Sequence, residues 1–277
     1  MNFWVEINHQ TYKIDSENPL DISILLDFNG IQPNIYDVET ATATAFEGGN
    51  FIGDTRRGGS CNFENIKFNP HCNGTHTECV GHLTHERVSV HKCLQEVFLL
   101  ANLITVVPEN ASETDENYAV ELNENDKLIT RKLLENFKFQ IEHFKSPDAL
   151  IIRTLPNDDS KKSRKYSENP PPFFSTEAMQ FMVEIGIKHL LVDMPSIDRM
   201  FDEGKLSNHR VFWNVKQGSF EINEASRVNN TITEMIYAPN EIVDGAYLLN
   251  LQIAAFVADA SPSRPILFNL NKEIKQG

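Results

Sequence analysis

The sequence predicts a single α/β domain with a sheet that is at least partly parallel. The main indication is a strand–helix–strand unit in the second half of the chain. It consists of an apolar run at 149–154, a helix that begins at Ser175 and ends near Gly186, and a second apolar run at 188–193. Strands connected through a helix normally lie parallel in one sheet. No internal repeat and no linker divides the sequence, so we expect one domain spanning residues 1–277.

Composition narrows the classes of function. Hydrophobic residues make up 40% and charged residues 23% of the 277 residues, as in ordinary globular proteins. The formal net charge of −14 excludes nucleic acid and anionic membrane surfaces as expected partners, since both require a basic surface. No apolar run approaches the length of a membrane span, and the first residues do not read as a signal peptide. We therefore expect a cytoplasmic protein with reduced cysteines.

Alternation of apolar and polar residues, or short apolar runs, predicts the remaining strands. These strands cover residues 3–7, 11–14, 20–25, 60–70, 99–107, 231–237 and 247–254. Apolar residues at helical spacing predict a helix over 127–139, and a segment rich in Gly, Thr, Asn and Pro predicts a loop over 29–59. A basic cluster at 161–165 predicts a solvated loop, with contact to an anion as the alternative.

The densest concentration of reactive side chains lies at residues 69–82, which hold three imidazoles, one carboxylate and two thiols. Such side chains bind borderline divalent metals, and zinc is the expected ion. His76 and Glu78 are two residues apart and would leave one face of a strand together. Cys72 shares their parity, whereas His71 does not. Because the Cys-x-x-Cys pairs of structural zinc sites are absent from the sequence, we expect an open, catalytic site.

Residues 72–78, Cys-Asn-Gly-Thr-His-Thr-Glu, with a histidine four positions later, resemble a known signature. It is the His-x-Gly-Thr-His-x-Asp…His motif of the cyclase family of metal-dependent hydrolases, which includes bacterial kynurenine formamidases and isatin hydrolases. Segments similar to other family elements lie at 51–55, 151–154 and 186–198. The resemblance implies a mixed, strongly curved, barrel-like sheet with outer helices, and a homodimer or homotetramer.

The resemblance also implies a ligand set for one or two divalent ions, with zinc expected and manganese as the alternative. The implied ligands are Cys72, His76, Glu78, His209 and Glu234. Cys72 stands where the family has histidine and Glu78 where it has aspartate, while His71 is an alternative ligand despite its parity. His82 matches the catalytic histidine. Candidates for an apolar substrate pocket are Phe51, Phe63 and Trp213, with burial in the core as the alternative for each.

Some polar residues and cysteines near these motifs have two interpretations. Asp193, Ser196 and Asp198 follow a predicted strand, where active-site groups and capping residues both occur. The remaining cysteines are expected to be packing residues: Cys61, Cys79 and Cys93.

The function implied is hydrolysis of an aryl formamide or a small cyclic amide, for example of N-formylkynurenine to kynurenine and formate. His82 would take a proton from water and pass it to the leaving nitrogen. The alternative is a catalytically silent protein of the same fold, which keeps a structural metal or binds a small ligand. A pure protein-interaction module would leave the family elements along the chain unexplained.

Overall fold

A computed structural model describes residues 2–138 and 148–272 of the chain. Its strands are β1 Asn2–Ile7, β2 Gln10–Asp15, β3 Leu20–Asp21, β4 Thr42–Ala45, β5 Glu47–Gly48, β6 Phe51–Ile52, β7 Glu64–Lys67, β8 His76–Glu78, β9 Leu99–Val106, β10 Glu109–Asn110, β11 Lys127–Ile129, β12 Ala149–Thr154, β13 Phe173–Phe174, β14 His189–Val192, β15 Thr231–Glu234, β16 Gly245–Ile253, β17 Ala260–Asn269 and β18 Asn271–Lys272. Its α-helices are α1 Pro70–Asn73, α2 Val90–Cys93, α3 Arg131–Glu135, α4 Thr176–Glu184 and α5 Ser207–Trp213. Short 3-10 turns lie at Thr55–Arg57, Val80–His82, Ala111–Glu113 and Asp159–Lys162.

Seven strands close into a barrel in the order β16-β9-β12-β14-β15-β8-β17, because β16 also pairs with β17. Strands β9, β12, β14 and β15 run parallel to one another, and the others pair antiparallel. Closure leaves the seven strands without a free edge. The mixed, strongly curved sheet confirms the predicted fold class.

Strand β12 shows how the barrel divides the core. Leu150 and Ile152 pack into one apolar cluster with side chains of α4 and α5, outside the barrel. Ala149 and Ile151 pack into a second cluster made mainly by side chains of the other strands, inside it. The strand is thus buried on both faces, which explains its nearly continuous apolar sequence.

The predicted strand–helix–strand unit is confirmed, with β12 and β14 parallel on either side of α4. The Ser175 hydroxyl accepts a hydrogen bond from the Ala178 amide at 3.0 Å and caps the helix N-terminus. Gly186 follows the C-terminus with φ of +81°, a left-handed conformation that glycine adopts without a Cβ clash. The predicted N-terminal hairpin is present as β1 and β2.

Two local predictions were wrong in part. Residues 127–129 form a strand paired with β10 and β13, and the helix begins only at Arg131, where the Thr130 hydroxyl caps it; Phe139 lies outside the described residues. The predicted loop at 29–59 contains β4, β5 and β6, which are largely solvent-accessible and so lack a buried apolar face to reveal them. No helix among the described residues combines the length and apolar character needed to cross a membrane.

Candidate metal centre

The candidate centre is built on β8, which carries His76 and Glu78. Both side chains are buried, and their spacing directs them to the same face of the strand. Strand β8 lies between β15 and β17 in the barrel. Its antiparallel register with β15 places Glu234 opposite His76. Pairing between distant parts of the sequence therefore assembles three potential ligands.

Helix α5 adds His209 to this group. The His209 Nε2 atom lies 2.8 Å from Glu78 Oε1 and 3.6 Å from Glu234 Oε1. His76 Nε2 lies 3.5 Å from Glu234 Oε2. Ligand atoms of Glu78, His209 and Glu234 lie within 4.8 Å of one another, the spacing of a site that can enclose an ion. We call His76, Glu78, His209 and Glu234 the inner cluster.

The segment after β14 orients two members of the inner cluster. Asp198 Oδ2 accepts a hydrogen bond from His209 Nδ1 at 2.5 Å, and its Oδ1 atom accepts one from the Asn208 amide at 2.7 Å. The Ile197 amide donates to Glu234 Oε1 at 2.9 Å. Asp198 therefore both caps α5 and fixes the direction of the His209 ring.

Two pKa shifts show that the charges of His209 and Glu78 depend on each other. Burial alone would lower the pKa of His209, but the Glu78 carboxylate and the hydrogen bonds to Asp198 and Glu78 raise it well above its usual value. Burial would raise the pKa of Glu78, yet interaction with the neighbouring imidazoles, chiefly His82 and His209, holds it well below its usual range. The converging carboxylates thus require a positive charge between them.

His71 lies beside the inner cluster, although strand parity argued against it. Residues Pro70–Asn73 form a helical turn, so alternation does not apply there. His71 Nδ1 lies 2.9 Å from Glu78 Oε2, and His71 Nε2 lies 3.0 Å from Asp259 Oδ2. Despite burial, these two carboxylates raise the pKa of His71 to about 10. The turn thus brings a further imidazole to Glu78.

His82 lies on the more accessible side of the centre. The 3-10 turn after β8 places its Nδ1 atom 3.4 Å from Asp259 Oδ2 and 3.9 Å from Glu78 Oε2. Its ring centroid is 4.4 Å from that of His71, and its side chain is 26% exposed. The ring is thus close to the inner cluster and still reachable from solvent.

Cys72 is absent from the groups of potential ligand atoms that the described residues form. The residue is buried in an apolar cluster with Ile35, Tyr166 and Met200. Burial, followed by the nearby Glu234 charge, raises the pKa of its thiol to about 11. His71, which precedes Cys72 in the chain, contributes an atom to these groups instead.

The three aromatic residues proposed for a substrate pocket lie in two different places. Trp213 is completely buried in the main core, with its ring centroid 5.4 Å from that of His209; such burial does not favour a wall position. Phe51 and Phe63 pack with Phe46 in a separate aromatic cluster, at centroid distances of 5.2 to 6.2 Å. Cys61, expected to be buried, is exposed, whereas Cys79 and Cys93 are buried as expected.

Sequence reasoning missed Asp259, which contacts both His71 and His82. It immediately precedes β17, and the antiparallel register of β17 with β8 places Ala260 opposite Glu78. No spacing within residues 69–82 points to an aspartate almost two hundred positions later. Recognition of the strand pair β8–β17 would have been needed to find it.

Three comparisons place this geometry among known proteins. Residues 7–199 match the family model described as "Putative cyclase". Kynurenine formamidases of Bacillus mycoides and Bacillus cereus are 29% and 28% identical over 146 residues, which is 52% of this chain. The matched segment spans only 57% of the length of these relatives.

Solved structures share the fold at low sequence identity. Isatin hydrolase A from Labrenzia aggregata bound to benzyl benzoate is 14% identical, with a TM-score of 0.60 over 92% of this chain and 94% of that one. A predicted metal-dependent hydrolase from Bacillus stearothermophilus is 14% identical, with a TM-score of 0.56 over 91% and 98% of the two chains. These likenesses bear on the fold alone.

Proposed function

The chain belongs to the cyclase family, and we propose that it is a metal-dependent amidohydrolase acting on an aryl formamide or a small cyclic amide. The observation that carries the proposal is the unsatisfied nitrogen of His76. This Nε2 atom is buried and has no hydrogen-bond partner among the described residues, although two carboxylates lie nearby. An orphaned nitrogen of this kind is what an ion site requires of a ligand.

Hydrogen bonding fixes which nitrogen of each imidazole is available to an ion. His76 Nδ1 lies 3.0 Å from the Gly74 carbonyl, which can only accept, so Nδ1 carries the proton and neutral Nε2 keeps its lone pair. His209 has the same orientation, because its Nδ1 atom faces Asp198 while Nε2 faces Glu78 and Glu234. Its raised pKa means that Nε2 carries a proton in the absence of a cation, and a cation held by the two carboxylates would take the place of that proton. A carboxylate or carbonyl behind the ligating histidine is the usual outer support of a metal site.

The donor set therefore fits a divalent cation. Its nitrogen and carboxylate donors suit zinc or manganese. The inner cluster would hold one ion, and His71, rather than the protonated Cys72 thiol, is the better candidate for an additional ligand. One or two ions fit this set of residues.

The ion would supply polarisation of the amide carbonyl and acidification of a water molecule. His82 would take a proton from the water that attacks the carbonyl carbon and donate it to the leaving nitrogen as the carbon–nitrogen bond breaks. Asp259, 3.4 Å from His82 Nδ1, orients the ring so that Nε2 is free for the substrate. Glu78 and Glu234 would hold the cation rather than transfer protons, because a carboxylate that accepts a proton loses the charge that binds the ion.

The substrate class comes from the relatives. Two matched proteins are named kynurenine formamidases and one matched fold is an isatin hydrolase, so an amide attached to an aromatic ring is the common chemistry. The expected homodimer or homotetramer, the single domain over 1–277 and the cytoplasmic location remain predictions.

The test is metal content by elemental analysis, combined with hydrolysis of N-formylkynurenine and formanilide. We expect stoichiometric zinc or manganese and turnover of at least one amide. His76→Gln should lose metal, whereas His82→Ala should keep metal and lose turnover; His85→Ala, an exposed histidine, is the matched control. Activity should fall on acidification, because protons compete with the cation for the ligand atoms.

The outcomes separate the two candidate functions. Metal without turnover of any amide would favour the catalytically silent protein with a structural ion. Absence of metal even after reconstitution would overturn the metal centre, as would full metal content in His76→Gln. An activity that stays flat between pH 5 and 8 would contradict histidine ligands and a histidine base.

A further inference from the structure

A tightly held turn at residues 34–38 lies next to the metal centre. The Asn34 side chain donates to the Val38 carbonyl at 2.9 Å, across the turn. The Asn34 backbone pairs with the 164–166 segment through hydrogen bonds at 3.0 and 2.9 Å. At its apex Tyr36 and Asp37 both have left-handed backbones, with φ of 58° and 51°. The turn is therefore anchored at its base and held in one conformation at its tip.

The conformation of Tyr36 is unfavourable for a bulky residue. Left-handed φ values are common for glycine and tolerated by asparagine and aspartate, but rare for aromatic residues. Such strain persists where the surroundings over-determine it, and it concentrates at functional sites. The turn thus maintains an unfavourable backbone that aims one particular ring.

Packing of the preceding residue, Ile35, connects the turn to the segment that carries His71. Ile35 is 1% exposed and packs with Cys72, which adjoins His71. Burial, followed by the charge of Glu234, raises the pKa of the Tyr36 hydroxyl. The phenol accordingly stays protonated and can donate a hydrogen bond close to the inner cluster.

A second exposed aromatic ring accompanies Tyr36. Phe201 is 64% exposed and lies in the segment that also carries Asp198, the support of His209. The Tyr36 and Phe201 ring centroids are 6.3 Å apart, with an interplanar angle of 74°. Tyr36 itself is 48% exposed. Two exposed aromatic rings therefore lie against each other, one on the turn that packs on Cys72 and one on the segment that carries Asp198.

We propose that Tyr36 and Phe201 form the aryl-binding clamp of the centre, a role that rests on the proposed function. The Tyr36 hydroxyl donates a hydrogen bond to the oxygen of the group bound at the centre. The Phe201 ring packs against the aromatic ring of the same ligand. The clamp thus determines specificity for an amide that carries an aryl group, and its residues differ from the three that the sequence suggested, Phe51, Phe63 and Trp213.

Two hydroxamates test the clamp without requiring turnover. Acetohydroxamate carries only the metal-binding head, and benzohydroxamate adds a phenyl ring. Binding of each to the metal-loaded protein is measured by titration calorimetry. We expect the phenyl ring to strengthen binding by roughly tenfold, in the range of an aromatic pair and its buried area.

Two variants should separate the contribution of the Phe201 ring to affinity from that of the Tyr36 hydroxyl. Phe201→Leu should reduce the advantage of benzohydroxamate by about three- to tenfold and leave acetohydroxamate unchanged. Tyr36→Phe should weaken both hydroxamates by a similar factor, up to about tenfold, because the hydroxyl acts on the shared head. Trp4→Leu, at a ring 54% exposed on β1, is the matched control and should change neither affinity.

The outcomes distinguish this inference from the proposed function. If both hydroxamates bind and the phenyl advantage is the same in the native protein and in Phe201→Leu, the clamp is overturned while the metal centre stands. Equal affinities of native protein and Tyr36→Phe would remove the role of the hydroxyl. If neither hydroxamate binds, the metal centre itself is wrong and the clamp falls with it.

Discussion

Two clusters of buried charge lie at the ends of neighbouring strands, and they are satisfied to very different degrees. In the first, Lys161 Nζ lies 2.7 Å from Asp193 Oδ2 and also donates to the Thr154 carbonyl at 2.6 Å. Further contacts reach the Thr154 hydroxyl at 3.0 Å and Asn157 at 3.3 Å. Asp193 in turn accepts from the amide and hydroxyl of Thr154. Each charged group is fully surrounded by partners.

The second is the inner cluster, whose bonding is incomplete. His76 Nε2 has no hydrogen-bond partner among the described residues, and the carboxylates of Glu78 and Glu234 converge on the same small space. One positive group, His209, contacts both carboxylates. In the inner cluster, the acceptor lone pairs outnumber the protons that the described side chains can donate to them.

The comparison indicates how a structural ion pair differs from a site. Burial is equally deep in both clusters, so burial alone does not distinguish them. What distinguishes them is whether their hydrogen-bond donors and acceptors already have partners, because a fully bonded pair has no capacity left for a ligand. Burial lowers the pKa of Lys161 and raises that of Asp193, while each partner opposes the shift, as expected for a pair that stabilises one local structure.

The largest effect predicted from the comparison is on folding. Lys161→Met should lower the free energy of unfolding by about 3–5 kcal/mol, because it leaves Asp193 charged and unpaired in the interior. Urea denaturation of the metal-free protein measures the loss. Lys188→Met is the control, since its partner Asp148 lies 3.1 Å away in an exposed pair that should contribute about 1 kcal/mol or less. A loss below about 1 kcal/mol for Lys161→Met would remove the distinction between the two clusters.

The same two clusters show which features a sequence can reveal. The spacing of His76 and Glu78 and the apolar runs of the parallel strands are local patterns, and they predicted two members of the inner cluster and a partly parallel sheet. The barrel and the other two members, His209 and Glu234, came from the resemblance to the cyclase family. Lys161 was assigned to a solvated loop, yet it is buried. Its partner Asp193 is thirty-two positions away, and no local pattern links them. The basic cluster at residues 161–165 therefore gave no sign of this particular pair.

His71 was placed second to Cys72, and Asp259 was missed, for related reasons. A single helical turn reverses the strand parity on which the assignment of His71 depended. Asp259 becomes visible only through the non-local pairing of β17 with β8. Tyr36 carries no sequence signal either, because its significance lies in a left-handed backbone.

A third buried group tests whether an unsatisfied nitrogen is by itself a sign of a site. His189 is 1% exposed; its Nδ1 atom lies 2.8 Å from the Thr231 hydroxyl, while Nε2 has no hydrogen-bond partner in the described part of the chain. Glu96, 3.9 Å away, is one carboxylate rather than a converging pair. We expect His189→Asn, which keeps a donor toward Thr231, to bind metal as the native protein does.

His189 should instead affect the pH dependence of stability. Burial lowers its pKa from 6.5 to about 4, so between these values the unfolded chain binds more protons than the folded one. Stability is therefore lost as the pH falls from about 6.5 to 4, by up to about 3 kcal/mol for this group. Urea midpoints measured across that range should slope less steeply in His189→Asn. An unchanged slope would show that His189 is not held neutral, and loss of metal would place it in the site.

The smallest effect predicted concerns the outer support of the centre. Asp259 accepts from His71 Nε2 at 3.0 Å and from Arg87 at 3.3 Å, and it lies 3.4 Å from His82 Nδ1. Asp259→Asn should weaken metal binding by about ten- to a hundredfold, as expected when a carboxylate behind a ligating histidine is removed. Competition with a chromophoric chelator measures the affinity, and Asp158→Asn, at an exposed carboxylate paired with Arg164, is the control.

This variant also decides which histidine depends on Asp259. If metal affinity falls, the carboxylate acts through His71, and that imidazole belongs to the ligand set that the motif assigned to Cys72. If affinity is unchanged while turnover falls, it acts through His82 and orients the proton-transferring ring. If neither metal affinity nor turnover changes, the three contacts of Asp259 serve only to pack β17 against β8. Asp259 would then have a structural role like that of the fully bonded pair Lys161 and Asp193.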